Sequence, residues 1–121
     1  MFMLNNTISA EDFDALRNDP KYKIIDVRTP GEFAQVHIPE ADNIPLNELP
    51  RHLEELKKFD GTLILHCRTS NRSEIANHIL SSNGITNTKV MTDGMVGWER
   101  KNLEVVRGEA APNFLSRILG M

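Results

Sequence analysis

The stretch from His66 to Glu74 reads H-C-R-T-S-N-R-S-E and contains the only cysteine of the chain. Among these side chains only an ionised thiol is a strong nucleophile, and nearby cations and a helix N-terminus both favour the thiolate. Cys67 has both kinds of company. Arg68 is its neighbour, Arg72 closes the stretch, and Thr69, Ser70 and Asn71 lie between. None of the residues from Cys67 to Arg72 is proline, so every backbone N–H there is free to turn toward a bound anion. Arg68 and Arg72 add charge-assisted contacts for the oxygens of an anionic donor. The segment has the parts of an anion cradle with a nucleophile at its foot, and Ser73 sits in the first turn of the helix that follows. A lone cysteine is more often inert packing; the surrounding residues are what set Cys67 apart.

Such a loop needs rigid elements on either side. Thr62 to His66 (T-L-I-L-H) is an apolar run expected to form a buried strand leading into Cys67. Beyond the loop, Ile75, Ala76, Ile79 and Leu80 fall at helical spacing up to Asn83-Gly84, so a helix is expected to begin at about Asn71 to Ser73. The C-terminal ends of strands in an open α/β sheet are where ligands bind, which is where Cys67 falls. Upstream, Ser9 with Asp12 resembles a capping box opening a short helix through Phe13 and Leu16. Tyr22 to Val27 reads as another buried strand. Thr29 and Pro30 then start a brief helix through Glu32, Phe33 and Val36. An extended piece over Ala41 to Ile44 precedes a helix carrying Leu46, Leu49, Leu53, Leu56 and Phe59, interrupted by Pro50. Lys89 to Thr92 is a further strand, and Gly94 and Gly97 bracket an expected turn before Trp98. Alternating strands and helices in a chain this short imply an α/β fold: a mostly parallel central sheet with helices on both faces.

The bulk properties narrow the function classes. The 121 residues allow one core, and 14 Lys and Arg against 17 Asp and Glu give a net charge of −3. That balance offers no global attraction for nucleic acid or an anionic membrane surface. No apolar run approaches the roughly 18 residues of a membrane span, and Met1 to Asn6 lacks the pattern of a secretory signal. The expected address is therefore the cytoplasm. A single cysteine closes no internal disulfide and lacks the Cys and His companions of a zinc site, so no metal is expected. Residues 1–107 read as one domain. Residues 108–121 read as a tail, with Phe114, Leu115, Ile118 and Leu119 at the spacing of a short helix that packs on the body or on a second copy, the alternative being a helix that docks on a membrane surface or a partner.

The loop from Cys67 to Arg72, a cysteine followed by four residues and an arginine, resembles the active-site loop of rhodanese-like domains. Asp26-Val27-Arg28, Glu32-Phe33, His37-Ile38-Pro39, Ala41 and Asn43-Ile44-Pro45 are similar to the family's N-terminal signature, and Gly94, Met95 and Trp98 to its C-terminal one. The chain departs from the pattern at Val36 and Asp93, where the family commonly has glycine. The resemblance spans roughly residues 7–103 and implies a three-layer fold, a mostly parallel central sheet of about five strands with helices on both faces. It also implies a sulfurtransferase of the thiosulfate type that carries a persulfide on Cys67 and needs no cofactor. Its partners would be small sulfur donors and, as acceptors, cyanide or a thiol, including a protein thiol.

In that reading Arg68 and Arg72 orient the donor or neutralise the loop, and Thr69, Ser70 and Asn71 shape it. Asp26 and Arg28 support the fold as a buried pair. His66 lies on the strand and points away from the thiol, as a packed residue and not its base. Two rival readings are distinguishable. Cysteine-dependent phosphatases have five residues between cysteine and arginine, where this chain has four, and they need a general acid that no residue here supplies. A non-catalytic scaffold with the same fold often lacks the cysteine, which this chain keeps with Arg72.

Overall fold

The computed structural model describes residues 6–108. The expected helix over the 108–121 tail therefore lies outside the described residues, apart from Gly108. The chain runs β1 (Thr7–Ile8), α1 (Ala10–Leu16), β2 (Tyr22–Asp26), α2 (Pro30–Gln35), β3 (Val36–His37) and β4 (Asp42–Asn43). A 3-10 helix over Leu46–His52 then leads into α3 (Leu53–Lys57), β5 (Thr62–His66), α4 (Asn71–Ser82), β6 (Thr88–Met91), α5 (Gly94–Arg100) and β7 (Val106–Arg107).

Five strands form a wholly parallel sheet in the order β1-β6-β5-β2-β4. The register pairs Ile24 with Ile64, Ile25 with Leu65, and Asp26 with His66. Because side chains alternate across a strand, Ile24 and Ile64 face one side with Phe13, Phe33, Met95 and Trp98. Ile25, Leu63 and Leu65 face the other, with Leu49, Leu56, Ala76 and Leu80. Helices α1, α2 and α5 thus cover one face and α3 and α4 the other, the three-layer α/β arrangement expected. Full burial of each such aliphatic or aromatic side chain contributes about 1.5–3 kcal/mol.

Local chemistry explains several element boundaries. Ser9 caps α1 by accepting the Asp12 N–H at 3.1 Å. Thr29 opens α2 with a full capping box, its hydroxyl accepting from Glu32 N while Glu32 Oε1 accepts from Thr29 N. Pro50 holds the expected helix after Leu46 in 3-10 form until His52. Two expectations fail. Val36 starts β3 instead of ending α2, and residues 94–100 form a helix where Gly94 and Gly97 suggest a turn. The two-residue strands β3 and β7 pair antiparallel, Val36 with Arg107 and His37 with Val106, tying the end of the described chain back to α2.

Candidate active site

β5 delivers His66 and Cys67 to the C-terminal edge of the sheet, beside the end of β2, where Val27 N donates to His66 O at 3.0 Å. Cys67 is 1% exposed and belongs to the apolar cluster under α3 and α4. Its sulfur accepts from Ser73 N at 3.4 Å and lies 3.6 Å from Ser73 Oγ, whose hydroxyl donates to Ser70 O at 2.9 Å. Ser70 occupies the N-cap of the twelve-residue α4 yet makes no side-chain cap bond. The third-residue amide that an N-cap oxygen usually takes goes to the sulfur instead, so Cys67 itself caps the helix.

Among the described residues, the backbone N–H groups of residues 68–72 donate to no other group. The expected cradle thus has unengaged donors. Its shape is fixed from the outside by α5. Met95 N donates to Cys67 O at 2.8 Å and Val96 N to Arg68 O at 3.1 Å. Gly94 makes this approach possible: its φ is +61°, and a Cβ there would fall on the carbonyl oxygens of Thr69 and Arg68, 2.5 Å from the latter. Gly94→Ala is therefore expected to destabilise the protein by at least about 1–2 kcal/mol from the backbone conformation alone. It should also speed alkylation of Cys67 as the loop loosens. Urea denaturation and iodoacetamide kinetics check both; unchanged values would show that the clamp is dispensable.

The sequence-derived site residues separate in space. Cys67, Ser70 and Ser73 come together at the foot of the loop, and Arg68, Thr69 and Asn71 are exposed on its rim. The Arg72 side chain is drawn to α2. Its Nη1 and Nη2 donate to Glu32 Oε1 and Oε2 at 2.7 and 3.0 Å, across 40 positions of sequence. This is a bidentate pair, with both side chains 32% exposed. The Arg72 guanidinium holds the Glu32 carboxyl down at about 2, with the Thr29 capping bonds assisting against partial burial. Arg72 is raised in turn, first by Glu32, against partial burial.

Because the Glu32 carboxyl sits below its ordinary 4.5, the stability it confers is present above that value and is lost as pH falls through about 2. Solvent screening limits the effect to about 1 kcal/mol. Acid titration of wild type against Glu32→Gln is expected to show a difference at neutral pH that shrinks as pH falls and vanishes only below pH ~2. A difference that persists there would place the effect elsewhere.

Behind the loop lies a buried polar network. Asp26, 0% exposed, accepts from Arg28 N, Nε and Nη2 at 2.7–3.0 Å, and Arg28 Nη2 also donates to Val36 O. His66 Nε2 is 3.3 Å from Asp26 Oδ2, too poorly aligned to count as a hydrogen bond, and Nδ1 is 3.3 Å from Cys67 O. Burial pushes the Asp26 carboxyl up, but His66 and Arg28 outweigh it and hold it well below the usual carboxylate range. Asp26 and Arg28 are thus the buried pair expected, and His66 is packed away from the sulfur.

Sequence reasoning missed the roles of Glu32 and Gly94. Glu32 is legible as a residue of the brief helix after Pro30 and Gly94 as the edge of a turn, but nothing local shows what either touches, although Thr29-x-x-Glu32 is a capping-box spacing that fixes where the carboxylate sits.

A parallel sheet with helices on both faces and a cysteine loop at its C-terminal edge defines a class, and comparison with known proteins gives its family. The family model for the rhodanese-like domain matches residues 9–101. The chain belongs to this family of rhodanese-like sulfurtransferases. It is 30% identical over 107 residues to a sulfurtransferase of Allochromatium vinosum, covering 88% of this chain and 99% of that one. It is 32% identical to the uncharacterized protein slr1261 of Synechocystis over 93% of its own length, and there it spans 63% of the relative. The crystal structure of a rhodanese-related protein from Thermoplasma volcanium superimposes with a TM-score of 0.76 at 30% identity, covering 86% of this chain and 99% of that one. Among the described residues, no helix is long and apolar enough to cross a membrane.

Proposed function

We propose that the protein moves a sulfane sulfur from a donor such as thiosulfate, through a persulfide on Cys67, to cyanide or a thiol, including the thiol of a protein. The observation that carries this reading is the Cys67 sulfur resting on Ser73 N at the foot of a loop whose other amides are unengaged. The Cys67 thiolate attacks the outer sulfur of thiosulfate. The sulfur–sulfur bond of the donor breaks, sulfite leaves with the bonding pair, and the loop amides hold the anionic outer sulfur of the Cys67 persulfide. Cyanide then attacks that sulfur, thiocyanate departs, and the thiolate returns. Arg68 at the rim meets the incoming anion, Thr69, Ser70 and Asn71 set the loop's width, and Asp26, Arg28 and Ser73 hold its foundation.

Four residues between Cys67 and Arg72 give a loop up to about 3.5 Å shorter in chain length than one with five. That suits one added sulfur atom better than a phosphoryl group. The whole reading places the protein in the cytoplasm, with residues 1–107 as the working domain. Purified protein given thiosulfate and cyanide should release thiocyanate with ping-pong kinetics. Sulfite release without thiocyanate, or neither product with any sulfane donor, would refute the exchange. Efficient Cys67-dependent hydrolysis of an aryl phosphate would favour the phosphatase reading instead.

A further inference from the structure

Arg72 is bound twice over by Glu32, and the consequence falls on the choice of donor. Thiosulfate is a dianion, and its capture depends on net positive charge beside the loop. Of the loop's two arginines, Arg68 has no ion pair among the described residues, whereas both terminal nitrogens of Arg72 are engaged by the Glu32 carboxylate at 2.7 and 3.0 Å. Thr29 N and Oγ1 hold Glu32 Oε1 from behind at 3.0 and 3.1 Å, so the carboxylate is anchored to the start of α2 and not free to swing away.

We propose that Glu32 is a specificity-determining residue that acts through Arg72 to cancel its charge and shift donor preference from dianionic thiosulfate toward persulfides of low charge. The inference rests on the sulfur-transfer reading above and narrows its donor class. With a persulfide donor, the Cys67 thiolate attacks the outer sulfur of R–S–SH, the donor's sulfur–sulfur bond breaks, and the inner sulfur leaves as the thiol with the proton. No dianion has to be gathered, so a neutralised Arg72 carries little penalty. The Arg72 guanidinium holds the Glu32 carboxyl well below its ordinary value, which agrees with a carboxylate charged at neutral pH.

The test compares second-order rates of Cys67 loading by thiosulfate and by 2-hydroxyethyl persulfide, the persulfide of an uncharged thiol, in wild type and Glu32→Gln. Glutamine retains a capping-box acceptor at this position. The ratio of thiosulfate to persulfide rates is expected to rise about tenfold in Glu32→Gln, the effect of one unbalanced charge at a partly solvated site. Its thiosulfate rate should fall more steeply with salt than that of wild type. An unchanged or lowered ratio, with parallel salt dependence, would overturn the proposal and leave Glu32 as a brace for the loop. Wild type alone supplies a second check, because a neutralised Arg72 predicts a shallow salt dependence for thiosulfate loading, and a steep one contradicts it. Loading of wild type by neither donor would sink the sulfur-transfer reading itself and this proposal with it, an outcome distinct from loading without selectivity.

Discussion

Cys67→Ser is expected to lower sulfur transfer by at least about a thousandfold while leaving the fold intact. Serine fills nearly the same space at a position 1% exposed, and its oxygen remains a suitable acceptor for Ser73 N, which the cysteine sulfur takes at 3.4 Å. The helix cap therefore survives the substitution. What is lost is the chemistry. A hydroxyl is not ionised at neutral pH without a base, and His66, the adjacent imidazole, is turned into the network of Asp26 and away from the sulfur. No other cysteine exists to take over. Thiocyanate formation in the variant within about tenfold of wild type would mean that the nucleophile lies elsewhere.

Asp26→Asn should be the most destabilising of the charge removals, costing about 3–5 kcal/mol in urea denaturation. Asp26 receives three nitrogens of Arg28 and faces His66, all in an environment sealed from solvent. An asparagine keeps the shape but offers one acceptor oxygen and no charge, so Arg28, 3% exposed, is left as a buried cation without its counterion. The backbone of the same residue ties β2 to β4, Asp26 O accepting from Ile44 N at 3.0 Å and from Asn43 Nδ2 at 2.9 Å. A loss below about 1 kcal/mol would show that the network is no more than a satisfied surface pair.

The parts of this architecture legible in the sequence are those with short-range causes. T-L-I-L-H before a polar loop and the apolar period after it place β5, Cys67 and the start of α4 within a residue or so of where they lie. The polar loop with no proline likewise points to the cradle of open amides. The rest depends on contacts between distant positions. α5 is hidden because Gly94 and Gly97 read as breakers, whereas Gly94 is needed for a positive φ and a close approach to Arg68 and Thr69. At Gly97 a Cβ would collide with Asp93, one of the positions where the chain departs from the family pattern. β3 and β7 are two residues each, and only their mutual pairing makes them strands. The partner of Arg72 is equally invisible to spacing, since nothing local to the loop says that α2 will bring Glu32 against it.

The most direct measurement is intact mass of the purified, reduced protein after brief exposure to thiosulfate or 2-hydroxyethyl persulfide, with peptide mapping. The account predicts a gain of one sulfur atom on Cys67 that disappears on adding cyanide and never forms in Cys67→Ala. Failure of both donors to add sulfur to Cys67, or an equal adduct on Cys67→Ala, would contradict it.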